Sequence, residues 1–129
     1  MSADHIRDPG GVMYDRFHFA QAVRSGDLLL CSGQIGTSND GSVPPEFLDE
    51  ARNAWAAVGA VLAAAELDFD AIVEYTSYHV GLHATLPDFM TARDEVLTAP
   101  WPAWTAIGTT ELAIPGARLE IRVTARARS

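Results

Sequence analysis

Residues 118–128 alternate without a break. Leu119, Ile121, Val123, Ala125 and Ala127 fall on one side, and Arg118, Glu120, Arg122, Thr124, Arg126 and Arg128 on the other. A period of two belongs to a β-strand with one buried and one polar face. Such a strand needs partners and a cover, because an isolated strand or two-stranded hairpin is at best marginally stable in water. The chain must therefore build a sheet around its final segment and pack something apolar on one side of it.

The cover is legible upstream. Ala51, Trp55, Val58, Leu62 and Ala65 make one apolar stripe of a helix over residues 46–66, and small neighbours allow it to lie close on a sheet. Met13 to Val23 and Leu28 to Cys31 read as two strands about the Ser25-Gly26-Asp27 turn. Residues 37–45 form a loop, and 71–80, rich in Ile, Val, Tyr and Thr, a strand. A second helix is expected with Pro87 in its first turn and Pro100 and Pro102 beyond its end. Trp104 to Leu112 reads as a further strand, and residues 1–12 as a flexible arm. The order ββαβαββ is an α+β pattern in one domain spanning 1–129, with two helices on one face of a single mixed sheet. The opposite face must then meet solvent or another subunit.

Composition narrows the function. In 129 residues, 17 acidic groups oppose 9 basic ones, a net charge of −8, which disfavours nucleic acid as a partner. All nine basic residues are arginine, so lysine Schiff-base chemistry is excluded. Four of the nine follow residue 117, a basic end on an acidic body. A single cysteine, no signal-peptide pattern and no stretch near ~20 apolar residues point to a cytoplasmic chain without a membrane partner.

Individual residues carry competing readings. His79 and His83 have the HxxxH spacing of metal ligands, but Gly81 lies between them and the HExxH glutamate is missing, so no metal is expected. Cys31 ends an apolar run and reads as a small buried hydrophobe. Glu120 lies mid-strand between Arg118 and Arg122. It either pairs with them on a solvated face or, in a cleft, orients a water or shuttles a proton.

An ordered set of motifs, over about residues 14–127, resembles the RidA/YjgF (reactive intermediate deaminase) family. The set is His18-Phe19-Ala20-Gln21-Ala22-Val23, Gly26-Asp27-Leu28-Leu29, Ser32-Gly33-Gln34-Ile35-Gly36, Pro102-Ala103-Trp104-Thr105, Pro115-Gly116 and Leu119-Glu120-Ile121. The resemblance implies a chorismate-mutase-like fold and a homotrimeric barrel with small-molecule clefts between subunits. It also implies hydrolysis of enamines and imines without a cofactor. Glu120 then has the catalytic place, and Phe19, Gly33, Arg93, Trp104 and Thr105 the ligand-binding places.

The chain departs from the family where an arginine usually clamps the substrate carboxylate, because Trp104 stands there. An indole offers one N–H and cannot replace a guanidinium fork. Phe19 stands in place of a tyrosine and Arg93 in place of an asparagine. Arg93 either supplies the missing clamp from the helix or pairs with an acidic neighbour such as Asp94, Glu50 or Glu74. Ordinary 2-iminoacid deamination is therefore not expected. The readings carried forward are a hydrolase of a different imine and a non-catalytic metabolite-binding trimer. An endoribonuclease, also associated with this family, suits the acidic surface poorly.

Overall fold

The computed structural model describes residues 4–127. Its elements are β1 (His5–Ile6), α1 (Val12–Phe17), β2 (Ala22–Ser25), β3 (Leu28–Cys31), β4 (Gln34–Ile35), α2 (Phe47–Ala64), β5 (Ile72–His79), α3 (Leu82–Asp94), β6 (Ala103–Gly108) and β7 (Leu119–Arg126). All seven strands join one sheet in the order β1-β2-β3-β7-β5-β6, with β4 also paired to β7. Only β5 and β6 run parallel, so the sheet is mixed.

The alternating final segment is the hub. Strand β7 pairs with β3, β4 and β5, and Leu119, Ile121, Val123 and Ala125 are buried on one face. Arg128, the last member of the expected polar set, lies outside the described residues. Helix α2 lays Ala51, Ala54, Trp55, Val58, Val61 and Leu62 on that face. Helix α3 adds Phe89 and Ala92. Burying a side chain of the Leu, Val or Phe class is worth about 1.5–3 kcal/mol, so this layer dominates stability. Gly36 lets β4 approach α2, because a Cβ there would collide with the Glu50 carbonyl oxygen.

One ion pair closes the layer. Glu50 is fully buried in the first turn of α2, and its Oε1 accepts from Arg118 Nε at 2.7 Å. Its Oε2 accepts the backbone N–H groups of Arg118 and Leu119 at 2.7 and 3.2 Å. Arg118 Nη2 also donates to the Pro44 carbonyl at 2.8 Å. A buried carboxylate persists when it is paired and its lone pairs are used, as here.

Three sequence expectations change. Residues 13–23 are not one strand: 12–17 form helix α1, and strand character begins only at Ala22. The Asp8 carboxylate accepts the N–H groups of Met13 and Tyr14 at 2.9 and 3.1 Å, supplying the first-turn partners that override the β preference of the aromatic residues. Part of the expected arm, His5–Ile6, is paired to β2. Helix α3 starts at Leu82, a turn before the proline signal implied, so Pro87 sits inside it. The described residues thus hold three α-helices, of which α2 and α3 cover the sheet as expected and α1 buries no side chain.

Candidate functional site

Strand register divides the expected site residues between the two sheet faces. Across β6, β5 and β7, Trp104 is opposite Tyr75 and Tyr75 opposite Val123. Two residues on, Ala106, Ser77 and Ile121 align, and then Gly108, His79 and Leu119. These rows lie on the helix-covered face, where Tyr75, Ser77, His79, Leu119, Ile121 and Val123 are buried. The intervening rows are Thr105-Thr76-Arg122 and Ile107-Tyr78-Glu120. They belong to the open face by the strand period. Trp104 and Glu120 therefore project from opposite faces.

Glu120 and Gly33 form the first group. A Cβ on Gly33 would overlap Glu120 Oε2, so this position has room for the carboxylate only because it is glycine. The segment carrying Gly33 is stitched to the 18–21 loop. Ser32 Oγ donates to the Ala20 carbonyl at 2.7 Å, Ser32 N–H to the Gln21 carbonyl at 2.8 Å, and Gln34 Nε2 to Gln21 Oε1 at 2.8 Å. Phe19 precedes Ala20 in this loop. Arg118 is engaged by Glu50, and of the two alternatives for Glu120 the pairing with its flanking arginines is not seen. Among the described residues the Glu120 carboxylate has no ion pair. Burial disfavours its charge and raises its pKa above the ordinary carboxylate range.

Arg93 and Trp104 form the second group, at the sheet's free edge on β6. The Arg93 guanidinium lies 5.2 Å from the Trp104 ring centre and 5.7 Å from that of Trp101. Its Nε donates to Asp94 Oδ1 at 2.8 Å. The pairing reading of Arg93 is the one seen, at Asp94, and the guanidinium also lies beside the Trp104 ring. Glu74, another expected partner, instead accepts from Thr124 Oγ1 at 3.0 Å. Trp104 is half-buried and stacks on Tyr75 and Phe89 at 5.9 and 5.6 Å. Thr105, its neighbour in β6, turns to the open face.

A buried polar chain orients Trp104. Its Nε1–H donates to Ser77 Oγ at 2.9 Å. Ser77 Oγ is 2.8 Å from His79 Nε2, His79 Nδ1 is 2.8 Å from Thr85 Oγ1, and the Thr85 hydroxyl donates to the Gly81 carbonyl at 3.0 Å. Ser77 accepts from the indole, so its own proton goes to Nε2. His79 then carries its proton on Nδ1 and donates it to Thr85. This tautomer gives every proton in the chain an acceptor. Burial lowers the pKa of His79, which keeps the ring neutral. Ser77 and Thr85 escaped the sequence reading, although Tyr75, Ser77 and His79 recur at the strand period.

The remaining candidates resolve simply. His79 is held by two hydroxyls, and the described residues contain no group of three or more His, Cys, Asp or Glu able to hold a metal. Cys31 is buried and its thiol is pushed up to about 11, chiefly by burial, with Arg122 opposing weakly. Two surface concavities, of about 770 and 410 Å³, flank the 68–70 turn, and none of the expected site residues lines them. No helix among the described residues is long and apolar enough to cross a membrane.

The comparisons match this arrangement over most of its length. The family model described as Endoribonuclease L-PSP covers residues 13–127. The chain is 43% identical over 115 residues to RutC family protein YjgH of Escherichia coli K12, across 88% of this chain and 86% of that one. A solved structure of protein YjgH superposes with a TM-score of 0.85 at 38% identity, covering 98% of each chain. RidA from an Antarctic Psychrobacter has the same fold, with a TM-score of 0.78 at 21% identity over 95% of this chain and 94% of that one. With a family model matched over residues 13–127 and 43% identity to a relative across most of both chains, the chain belongs to the RidA/YjgF family.

Proposed function

We propose that the chain is a cytoplasmic homotrimer that hydrolyses an enamine or imine in a cleft shared by neighbouring subunits. The observation that carries this reading is the partly buried Glu120 carboxylate, without an ion-pair partner and with space left for it at Gly33. The split of the site supports the shared cleft. Glu120 and Gly33 lie toward the open face, whereas Arg93 and Trp104 lie at the free edge on the other side. A second copy brings the two groups together where one chain does not. The open face also exposes Leu28, Leu30 and Ile107, apolar surface suited to a subunit contact.

The chemistry balances with this chain's residues alone. An enamine tautomerises to an imine, whose carbon accepts a water oxygen while the C=N electron pair moves to nitrogen. Glu120, as carboxylate, takes a proton from the water and returns it to that nitrogen. The hydroxyl proton of the tetrahedral intermediate then passes through the same carboxyl to nitrogen. The C–N bond breaks as C=O forms, and a carbonyl compound and ammonia leave, or an amine when the nitrogen is substituted. A carboxyl whose pKa is raised by burial holds a proton more readily than an ordinary one, which favours its return to nitrogen. With Trp104 replacing a guanidinium, the substrate differs from a small 2-imino acid.

A metabolite-binding trimer without catalysis is the second reading, favoured by the single N–H of Trp104 being spent on Ser77. Freshly generated 2-aminoacrylate and a panel of neutral and aromatic imines, given to the wild type and Glu120→Gln, separate the two. Carbonyl product from the wild type and its loss in Glu120→Gln supports the hydrolase. No turnover across the panel leaves the binding reading.

A further inference from the structure

Arg93 is an unusually confined cation. Its side chain is 18% exposed and its guanidinium is flanked by the rings of Trp101 and Trp104. Burial works against its charge, and the Asp94 carboxylate and Tyr75 hydroxyl outweigh that cost, so its pKa is raised. The Asp94 bond uses Nε. The Tyr75 hydroxyl draws on part of the remaining donor capacity, and no carboxylate or carbonyl among the described residues engages Nη1 or Nη2. The paired Nη groups are an end-on fork of the geometry that a carboxylate fits, and the two nearby indoles favour its charge.

The two tryptophans differ. Trp104 spends its N–H on Ser77 and its ring on Tyr75 and Phe89, so it offers a ligand neither a donor nor a free stacking face. Trp101 is 59% exposed, and among the described residues Arg93 is the aromatic or cationic partner of its ring. Beside one anion-binding fork there is thus one unoccupied aromatic platform, at the sheet's unpaired edge. We infer that Arg93 and Trp101 form a subsite for a carboxylate conjugated to a planar π-system. Arg93 binds the carboxylate end-on and Trp101 stacks on the adjoining plane. The subsite rests on the cleft reading above, in which a second subunit closes this edge, and it narrows the ligand class to flat, conjugated acids.

Benzoate and its neutral isostere benzamide, titrated into the full chain by calorimetry and followed on the tryptophan indole NMR signals, test this directly. Benzoate is expected to bind at least about tenfold more tightly than benzamide, the scale of one charge-assisted fork. Arg93→Ala is expected to erase that preference, and Arg93→Lys, charged but without the fork, to retain part of it. Trp101→Ala is expected to weaken both ligands alike and leave their ratio unchanged. Equal affinity for the two probes in the wild type, no saturable binding of either, or a preference that survives Arg93→Ala overturns the subsite. A chain that hydrolyses imines without a benzoate preference refutes this subsite alone. A chain that binds benzoate through Arg93 but turns nothing over refutes the hydrolase alone.

Discussion

Gly33 and Glu120 share one volume: the space that a side chain at 33 would enter is held by the Glu120 carboxylate. They come from different strand regions, joined by pairing of Gln34 with Ile121 and of Ile35 with Glu120. The smallest side chain at 33 must therefore displace the carboxylate. Gly33→Ala is expected to lower imine turnover about 10²-fold, the lower end of what a positioned acid–base group contributes. The fold should survive, because the displaced group is only partly buried. Steady-state kinetics beside circular dichroism checks both statements.

Burial gives Glu120 a pKa above its ordinary value in the folded chain. The folded state therefore binds this proton more tightly than the unfolded state. Its contribution to stability is fully present below the unfolded pKa and is lost as pH rises through the folded one. Glu120→Gln should remove that dependence, so its melting temperature should gain on the wild type as pH rises from acid to neutral. Thermal melts across pH 4–8, a window around the ordinary carboxylate range, test the sign, and a gain in the opposite direction contradicts it.

His79 is fixed as the neutral Nδ1–H tautomer between Ser77 and Thr85. Nitrogen-15 NMR should show a protonated Nδ1 and an unprotonated Nε2 at neutral pH. Ser77→Ala removes the acceptor of the Trp104 N–H, so the Trp104 indole signal should shift and its proton exchange faster with solvent. An unchanged indole signal would exclude the relay.

Glu50 and Arg118 make the buried tie between α2 and β7. Glu50→Ala leaves the guanidinium and two backbone N–H groups without their acceptor and is expected to cost about 3–5 kcal/mol in urea unfolding. Glu50→Gln, which keeps one acceptor oxygen, should cost less.

Cys31 is expected to behave as packing. With its thiol near pH 11 and buried, it should resist thiol reagents at pH 8 in the native chain and react on unfolding. Cys31→Ala should leave turnover unchanged.

Strong periodicity made α2 and β7 legible in the sequence, because each writes a full stripe or alternation over eight or more residues, and β5 was legible from its Ile, Val, Tyr and Thr content. The six-residue α1 was not, since side-chain bonds from Asp8 rather than propensity create it. Pro87 misdated the start of α3 because a first-turn proline and an interior one look alike in sequence. The site residues were nameable one by one, but their separation was not. That Trp104 and Glu120 take opposite faces depends on the register of β6 on β5 and of β5 on β7, which no local pattern encodes. The Ser77-His79-Thr85 relay was hidden for a related reason: its third member comes from a helix.

The shared cleft is tested most directly by mixing two inactive variants. Glu120→Gln lacks the proton-transfer group and Trp104→Ala disrupts the other half of the site. Co-refolded at equal amounts, they form mixed trimers. If each site takes Glu120 from one copy and Trp104 from its neighbour, about a quarter of the sites combine two intact halves. Imine turnover should then recover to roughly a quarter of wild type. A mixture as inactive as its parents would place both groups in one chain's site and contradict the shared cleft.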